Sequence, residues 1–169
     1  ASDITITGGT ITARGSYSGA GIGGGASDIN GPYCNGSNIT ISGGDVTAIG
    51  SVYASGIGGG SIGSGSNITI SDGKVTAKGG DQGGAGIGGG FWASGSDITI
   101  SGDAQVKAQG GTEHNENEEG AGAGIGNGGA KNTNGAEVEP DTTGLTENGR
   151  LEYYAPGADM ETDDPAKVI

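Results

Sequence analysis

The tetrads Ser-Asp-Ile-Thr at Ser2, Ser-Asn-Ile-Thr at Ser37 and Ser66, and Ser-Asp-Ile-Thr at Ser96 recur at intervals of 35, 29 and 30 residues. A period of this length marks a repeat architecture, in which one supersecondary unit is used several times. Each unit reads as three short runs: an alternating run such as "NITIS", a second such as "KVTAK", and a glycine-dominated "AGIGG". Turns rich in Gly, Ser, Asp and Asn separate them.

Period-two alternation puts Ile4 and Ile6, Ile39 and Ile41, Ile68 and Ile70, and Ile98 and Ile100 on one face of the first run. In the second run Ile11 and Ala13, Val46 and Ala48, Val75 and Ala77, and Val106 and Ala108 do the same. The third run offers only Ala20 and Ile22, Ser55 and Ile57, Ala85 and Ile87, and Ala123 and Ile125. A unit with about six inward side chains has no core of its own, so it is stable only when Ile stacks on Ile and Val on Val along a common axis. The expectation is an all-β fold: a parallel β-helix (solenoid) of about four three-stranded coils over residues 1–134. Unequal coil lengths, with insertions confined to certain turns, favour the right-handed form. The non-repeating residues 135–169 are expected to be an acidic C-terminal cap or linker.

Taken alone, 42 glycines in 169 residues and 31% hydrophobic content would suggest a disordered chain; the repeat overrides that. Glycines flanking Ile22, Ile57 and Ile87 are read as alternating outward, leaving a sheet face bare of side chains. Net charge is −13, which disfavours nucleic acid as a partner. Seven of the 20 acids and four of the seven bases precede Thr112, so the repeating body is nearly neutral and the last third acidic. No apolar run of membrane-spanning length occurs, so no membrane insertion is expected. Cys34 is the only cysteine, which excludes an intrachain disulfide and reads as an incidental thiol in a turn.

The pattern of "ITISGG", "VTA" and "GAGIGGG" over Ser2 to Gly129 resembles the Gly-rich β-helix repeats of secreted or wall-attached proteins from gut and anaerobic Clostridia-type bacteria. More distantly it is similar to the carbohydrate-binding β-helix modules that share a fold with pectate lyases. The resemblance implies an extracellular or cell-wall-attached module of a larger chain, with neighbouring domains beside it. The abrupt start at "ASDITI" fits an excised module.

Three features could carry binding. Aromatics gather at turns, with Tyr17 and Tyr53 just before the third run and Tyr33, Phe91 and Trp92 after it; a pyranose has an apolar face that stacks on such rings. Lys74, Lys78 and Lys107, with Arg14, form the one basic stretch of the body, suited to the acidic groups of polysaccharides. Outward columns of Asp3, Asn38, Asn67 and Asp97, of Thr5, Thr40, Thr69 and Thr99, and of Thr7, Ser42, Ser71 and Ser101 make a flat polar grid of the kind ice-binding solenoids use. The insertion "TEHNENEEG" at Thr112 to Gly120 carries four Glu and His114 and could attract Ca²⁺, though no calcium-loop motif supports this and no cofactor is expected.

Enzymatic chemistry is not expected. Glycoside hydrolysis needs two convergent carboxylates, whereas the body holds seven Asp, mostly single turn residues, and no Glu. The functional expectation is therefore a non-catalytic adhesin or carbohydrate-binding module, with polysaccharide, host glycan or a host surface protein as partner and Trp92, Phe91, Tyr33, Lys74, Lys78 and Lys107 as its contact residues. A ligand-free spacer and an ice-binding solenoid are the alternatives.

Overall fold

The computed structural model describes residues 1–26, 33–113 and 120–169. These residues form twelve strands and no helix. The four repeat units contribute β1 (Ser2–Ile6), β2 (Thr10–Arg14) and β3 (Ile22–Gly23); β4 (Gly36–Ile49) and β5 (Ile57–Gly58); β6 (Gly65–Lys78) and β7 (Ile87–Gly88); and β8 (Gly95–Ile100), β9 (Gln105–Gln109) and β10 (Ile125–Gly126). Two further strands, β11 (Arg150–Tyr154) and β12 (Lys167–Val168), come from the non-repeating segment. The chain is a parallel β-helix with an eight-stranded sheet and a four-stranded sheet.

Stacking follows the repeat residue for residue. Ile4 pairs with Ile39, Ile39 with Ile68 and Ile68 with Ile98, and the column of Ile6, Ile41, Ile70 and Ile100 runs beside it. Ile22, Ile57, Ile87 and Ile125 form the matching column of the small sheet. Ile39, Ile41, Ile57, Ile68, Ile70 and Ile87 are fully buried, each coil removing from water what its neighbours expose.

The coil differs from the expected three separate strands. In the two central units the first and second runs merge into one strand of 14 residues. A register shift between Ile41 and Asp45 lets that strand bend without leaving the sheet. At the strand entrance Asp3, Asn38, Asn67 and Asp97 all sit at φ between 52° and 60°. Asn and Asp tolerate this left-handed region better than other side-chain-bearing residues. The amides form a ladder, with Asn67 Nδ2 donating to Asn38 Oδ1 at 2.8 Å and Asn38 Nδ2 to Asp3 Oδ1 at 2.9 Å. Asp3 ends it as a pure acceptor, and the Asn38 bond holds its carboxyl below the usual value.

The third-run glycines are not a bare outer face. Gly56 to Gly60 and Gly83 to Gly90 are buried. Gly58 has φ +129°, and a Cβ there would overlap the carbonyl of Gly88 in the next coil; Gly23, Gly88 and Gly126 repeat this conformation at +131° to +133°. A Cβ on Gly56 would lie 2.7 Å from the Lys78 amide nitrogen. Glycine is needed because coils approach each other, and the third run approaches the second, at backbone distance.

The small sheet has a further property. Gly21, Ile22 and Gly24 donate their N–H groups to the carbonyls of Ser55, Gly56 and Gly58. Gly56, Ile57 and Gly59 donate to Ala85, Gly86 and Gly88, and Gly86, Ile87 and Gly89 to Ala123, Gly124 and Gly126. These nine bonds join consecutive coils, and at the far end the bonding also runs the other way, with Val138 N–H donating to the Ile125 carbonyl at 2.9 Å. At the far end the donors of the fourth coil meet Glu137: Gly124 N–H reaches Oε1 at 2.7 Å and Ile125 N–H reaches Oε2 at 3.0 Å. The third donor, Asn127 N–H, reaches the Ala136 carbonyl at 3.0 Å.

The rest of the non-repeating segment closes the same end. Asp141 and Leu145 bridge to Thr99 and Gly102, and β11 adds to β9 in parallel register. Leu151 pairs with Val106 and Tyr153 with Ala108, so the Val and Ala columns gain a fifth layer. The short strand β12 runs antiparallel to β11.

Candidate functional site

The turn before the third run and the turn after it lie against one another. Ser61 N–H donates to Ser18 O at 2.8 Å, Phe91 N–H to Tyr53 O at 2.7 Å, and Gly129 N–H to Gly83 O at 2.6 Å. This pairing brings together aromatics that are distant in sequence. Tyr53 and Phe91 meet with ring centroids 5.6 Å apart, and Phe91 stacks on Trp92 at 5.4 Å with 17° between the planes. Phe91 is only 8% exposed and acts as the underlay; Trp92, at 60%, is the presented surface. Gly83 lies beneath, where a Cβ would come within 2.8 Å of the Phe91 ring.

Trp92 holds φ at +61°, and Ile62, at the matching turn of the preceding coil, at +52°. Left-handed backbone costs a residue with a side chain roughly 1–2 kcal/mol. In a chain with 42 glycines, these two turn positions carry an indole and a β-branched residue instead. Strain of this kind accumulates at binding and switching sites.

The lysines do not form the single basic face expected of them. Lys78 pairs with Asp81 at 4.0 Å. Lys74 and Lys107 line an open groove of about 400 Å³ together with Arg150, and Asp45, Glu152 and Glu161 line it too, so its charges balance. Lys107 Nζ donates to the Met160 carbonyl at 2.7 Å, lies 3.5 Å from Glu161 Oε1, and sits over the Tyr154 ring at 5.8 Å. Burial works to raise the Glu152 carboxyl, but hydrogen bonds from Arg150 and Tyr154 outweigh it and hold the group below its ordinary value. Burial and the same Glu152 carboxylate push the Tyr154 phenol up to about 12. The Glu152 side of the groove was not expected from the sequence, because β11 belongs to no repeat.

Tyr33 is exposed and takes no part in the ring stack. Cys34 Sγ donates to the Ala26 carbonyl at 3.1 Å. The acidic insertion considered for Ca²⁺ falls, from His114 to Glu119, outside the described residues. The third outward hydroxyl column is interrupted, since the register shift sets Ser42 against Asp72 instead of Ser71.

A family model described as a beta helix repeat matches residues 4–26, 39–66, 68–91 and 98–129. Comparison with curated proteins and with solved structures returns no match.

Proposed function

This chain belongs to the β-helix repeat family, and from that premise we propose that it is a non-catalytic binding module that holds a polysaccharide on the aromatic edge built by Tyr53, Phe91 and Trp92. The observation that carries this reading is the Phe91–Trp92 stack. An indole braced from below by a buried ring keeps one face toward water and loses little freedom on binding. The axial C–H groups of a pyranose match that face. The setting that suits such a module is extracellular or wall-attached, with host or bacterial glycan as the partner. Family membership supports the coarser statement, a structural or binding module; the ring geometry is what favours binding over a ligand-free spacer. The ice-binding alternative is weakened, because the register shift interrupts the third column of its hydroxyl grid, although the column of Thr5, Thr40, Thr69 and Thr99 stays paired.

Trp92 is the only tryptophan, so intrinsic indole fluorescence reports on this edge alone. Titration with plant, mucin and bacterial oligosaccharides should give a saturable change with at least one class, and Trp92→Ala should abolish binding measured by calorimetry. Absence of any response across the three classes would return the chain to the spacer reading.

A further inference from the structure

Five asparagines of the chain are followed directly by glycine: Asn30, Asn35, Asn127, Asn134 and Asn148. Glycine has no side chain to screen its own amide nitrogen or to restrict its backbone, so in this pair that nitrogen most readily reaches the asparagine carboxamide. Asn30 lies outside the described residues. Of the other four, Asn35, Asn134 and Asn148 are exposed and Asn127 is half-buried, so exposure does not single out any one of them.

Their hydrogen bonds do. Asn35 Oδ1 accepts from the Ser64 N–H at 2.9 Å, and the Gly36 N–H donates to the Ser64 carbonyl at 2.9 Å. Asn127 Oδ1 accepts from the Gly95 N–H at 3.1 Å, and the Gly128 N–H donates to the Ala93 carbonyl at 2.9 Å. Asn134 Oδ1 accepts from the Ala121 N–H at 3.0 Å, and the Gly135 N–H donates to the Ala121 carbonyl at 2.8 Å. In these three pairs the carboxamide and the glycine nitrogen are both tied to backbone distant in the chain. Asn148 differs on both counts. The Gly149 N–H donates only within its own turn, to the Thr146 carbonyl at 3.1 Å, and no described residue bonds the Asn148 carboxamide.

We propose that Asn148 is a site of spontaneous covalent modification, converting to isoaspartate while the fold protects Asn35, Asn127 and Asn134. The Gly149 nitrogen attacks Asn148 Cγ and a C–N bond forms. The carboxamide nitrogen leaves as ammonia, carrying the proton lost from Gly149, and a cyclic succinimide remains. Water then breaks one of the two imide C–N bonds: opening at Cγ gives aspartate, and opening at the main-chain carbonyl gives isoaspartate. Nothing is oxidised or reduced. The isoaspartyl product lengthens the main chain by a methylene carbon directly before β11. Space there is short, since an atom added on Gly149 Cα would lie 2.6 Å from the Gly102 carbonyl oxygen and 2.6 Å from Leu145 Cδ1. The Arg150 N–H bond to the Ala104 carbonyl, at 2.8 Å, opens the pairing of β11, and Leu151 behind it is fully buried. The modification therefore loosens β11 from β9, and with it the Arg150 and Glu152 side of the charged groove.

The test is storage of the full chain in mildly alkaline buffer, with and without unfolding urea, followed by peptide mapping with electron-transfer fragmentation, which separates isoaspartate from aspartate. In the folded chain Asn148 should convert at least about tenfold faster than Asn35, Asn127 or Asn134, because those three must first open backbone bonds to distant segments. In urea the four rates should converge. The isoaspartyl form, purified by chromatography, should melt about 3 °C or more below the parent, whereas Asn148→Asp, which adds the charge without the extra main-chain atom, should stay within about 1 °C. Conversion of Asn35, Asn127 or Asn134 as fast as Asn148 in the folded chain overturns the proposal, as does the same order of rates in urea. An isoaspartyl form that melts with Asn148→Asp would overturn the loosening of β11.

Discussion

The carboxylate of Glu137 stands over Gly124 as a stand-in for the next coil, its Oε1 2.7 Å from the glycine nitrogen and its Oε2 3.0 Å from the nitrogen that follows. One side chain takes the place that two backbone carbonyls fill in every interior interface. Charged acceptors make hydrogen bonds worth about 1.5–3 kcal/mol each. Glu137→Ala is expected to lower stability by about 2–4 kcal/mol, read as a drop in urea midpoint. Glu137→Gln should retain part of that, since one carboxamide oxygen still accepts. An alanine variant as stable as the parent would show that Ala136 and β11 close the end unaided.

Gly58 and Gly8 separate the two uses of glycine in this chain. Gly58→Ala drives a methyl into the Gly88 carbonyl at φ +129°, and should cost at least about 3 kcal/mol or prevent folding. Around Gly8 an added Cβ meets nothing within 4 Å, so Gly8→Ala should stay within about 0.5 kcal/mol of the parent. Equal effects in thermal melts would refute the backbone-contact explanation.

Trp92→Gly distinguishes a binding role from a packing role. Relief of the left-handed backbone, about 1–2 kcal/mol, offsets the lost ring stacking, about 0.5–1.5 kcal/mol. The variant should melt within about 2 °C of the parent while losing glycan binding. A large drop in Tm would mean that the indole serves the fold.

Stability should be flat through neutral pH and fall in the alkaline range. Tyr154 keeps its proton up to about 12, whereas an unfolded tyrosine loses it near 10. Between about pH 10 and 12 the unfolded chain therefore binds fewer protons than the folded one, and stability declines as pH rises. Tyr153, raised by burial and by Glu137 and Glu139, acts in the same direction. Phenolate absorbance for these two should appear together with loss of β-sheet circular dichroism. Tyr154→Phe should weaken the alkaline decline.

Leu151 shows how the non-repeating segment joins the core. It is fully buried at the end of the Val column, paired with Val106. Leu151→Ala should cost about 2–5 kcal/mol, as much as a substitution inside the repeat. A cost below 1 kcal/mol in denaturant unfolding would show that β11 is not part of the cooperative unit.

The sequence by itself determined the stacking. Alternation in "NITIS" and "VTA" places Ile39, Ile41, Val46 and Ala48 inward, and repetition at near-constant spacing leaves no economical partner for Ile39 except Ile4 and Ile68. Both are local signals, a period of two within a period of about thirty, and need no knowledge of distant contacts. Tertiary structure alone decided the rest. Glycine at Gly56 and Gly58 looked like an open face because the sequence does not say how near the next backbone lies; that distance is set by the coil cross-section. Trp92 was legible as an aromatic at a turn, but its bracing by Phe91 and Tyr53 depends on two turns meeting across the third run. Lys107 read as a free cation until the segment around Met160 and Glu161 folded back over it. Glu137 gave no signal at all, since its role comes from the Gly124 and Ile125 N–H groups that the last coil leaves without a following coil, a property of assembled backbone that no side-chain pattern encodes.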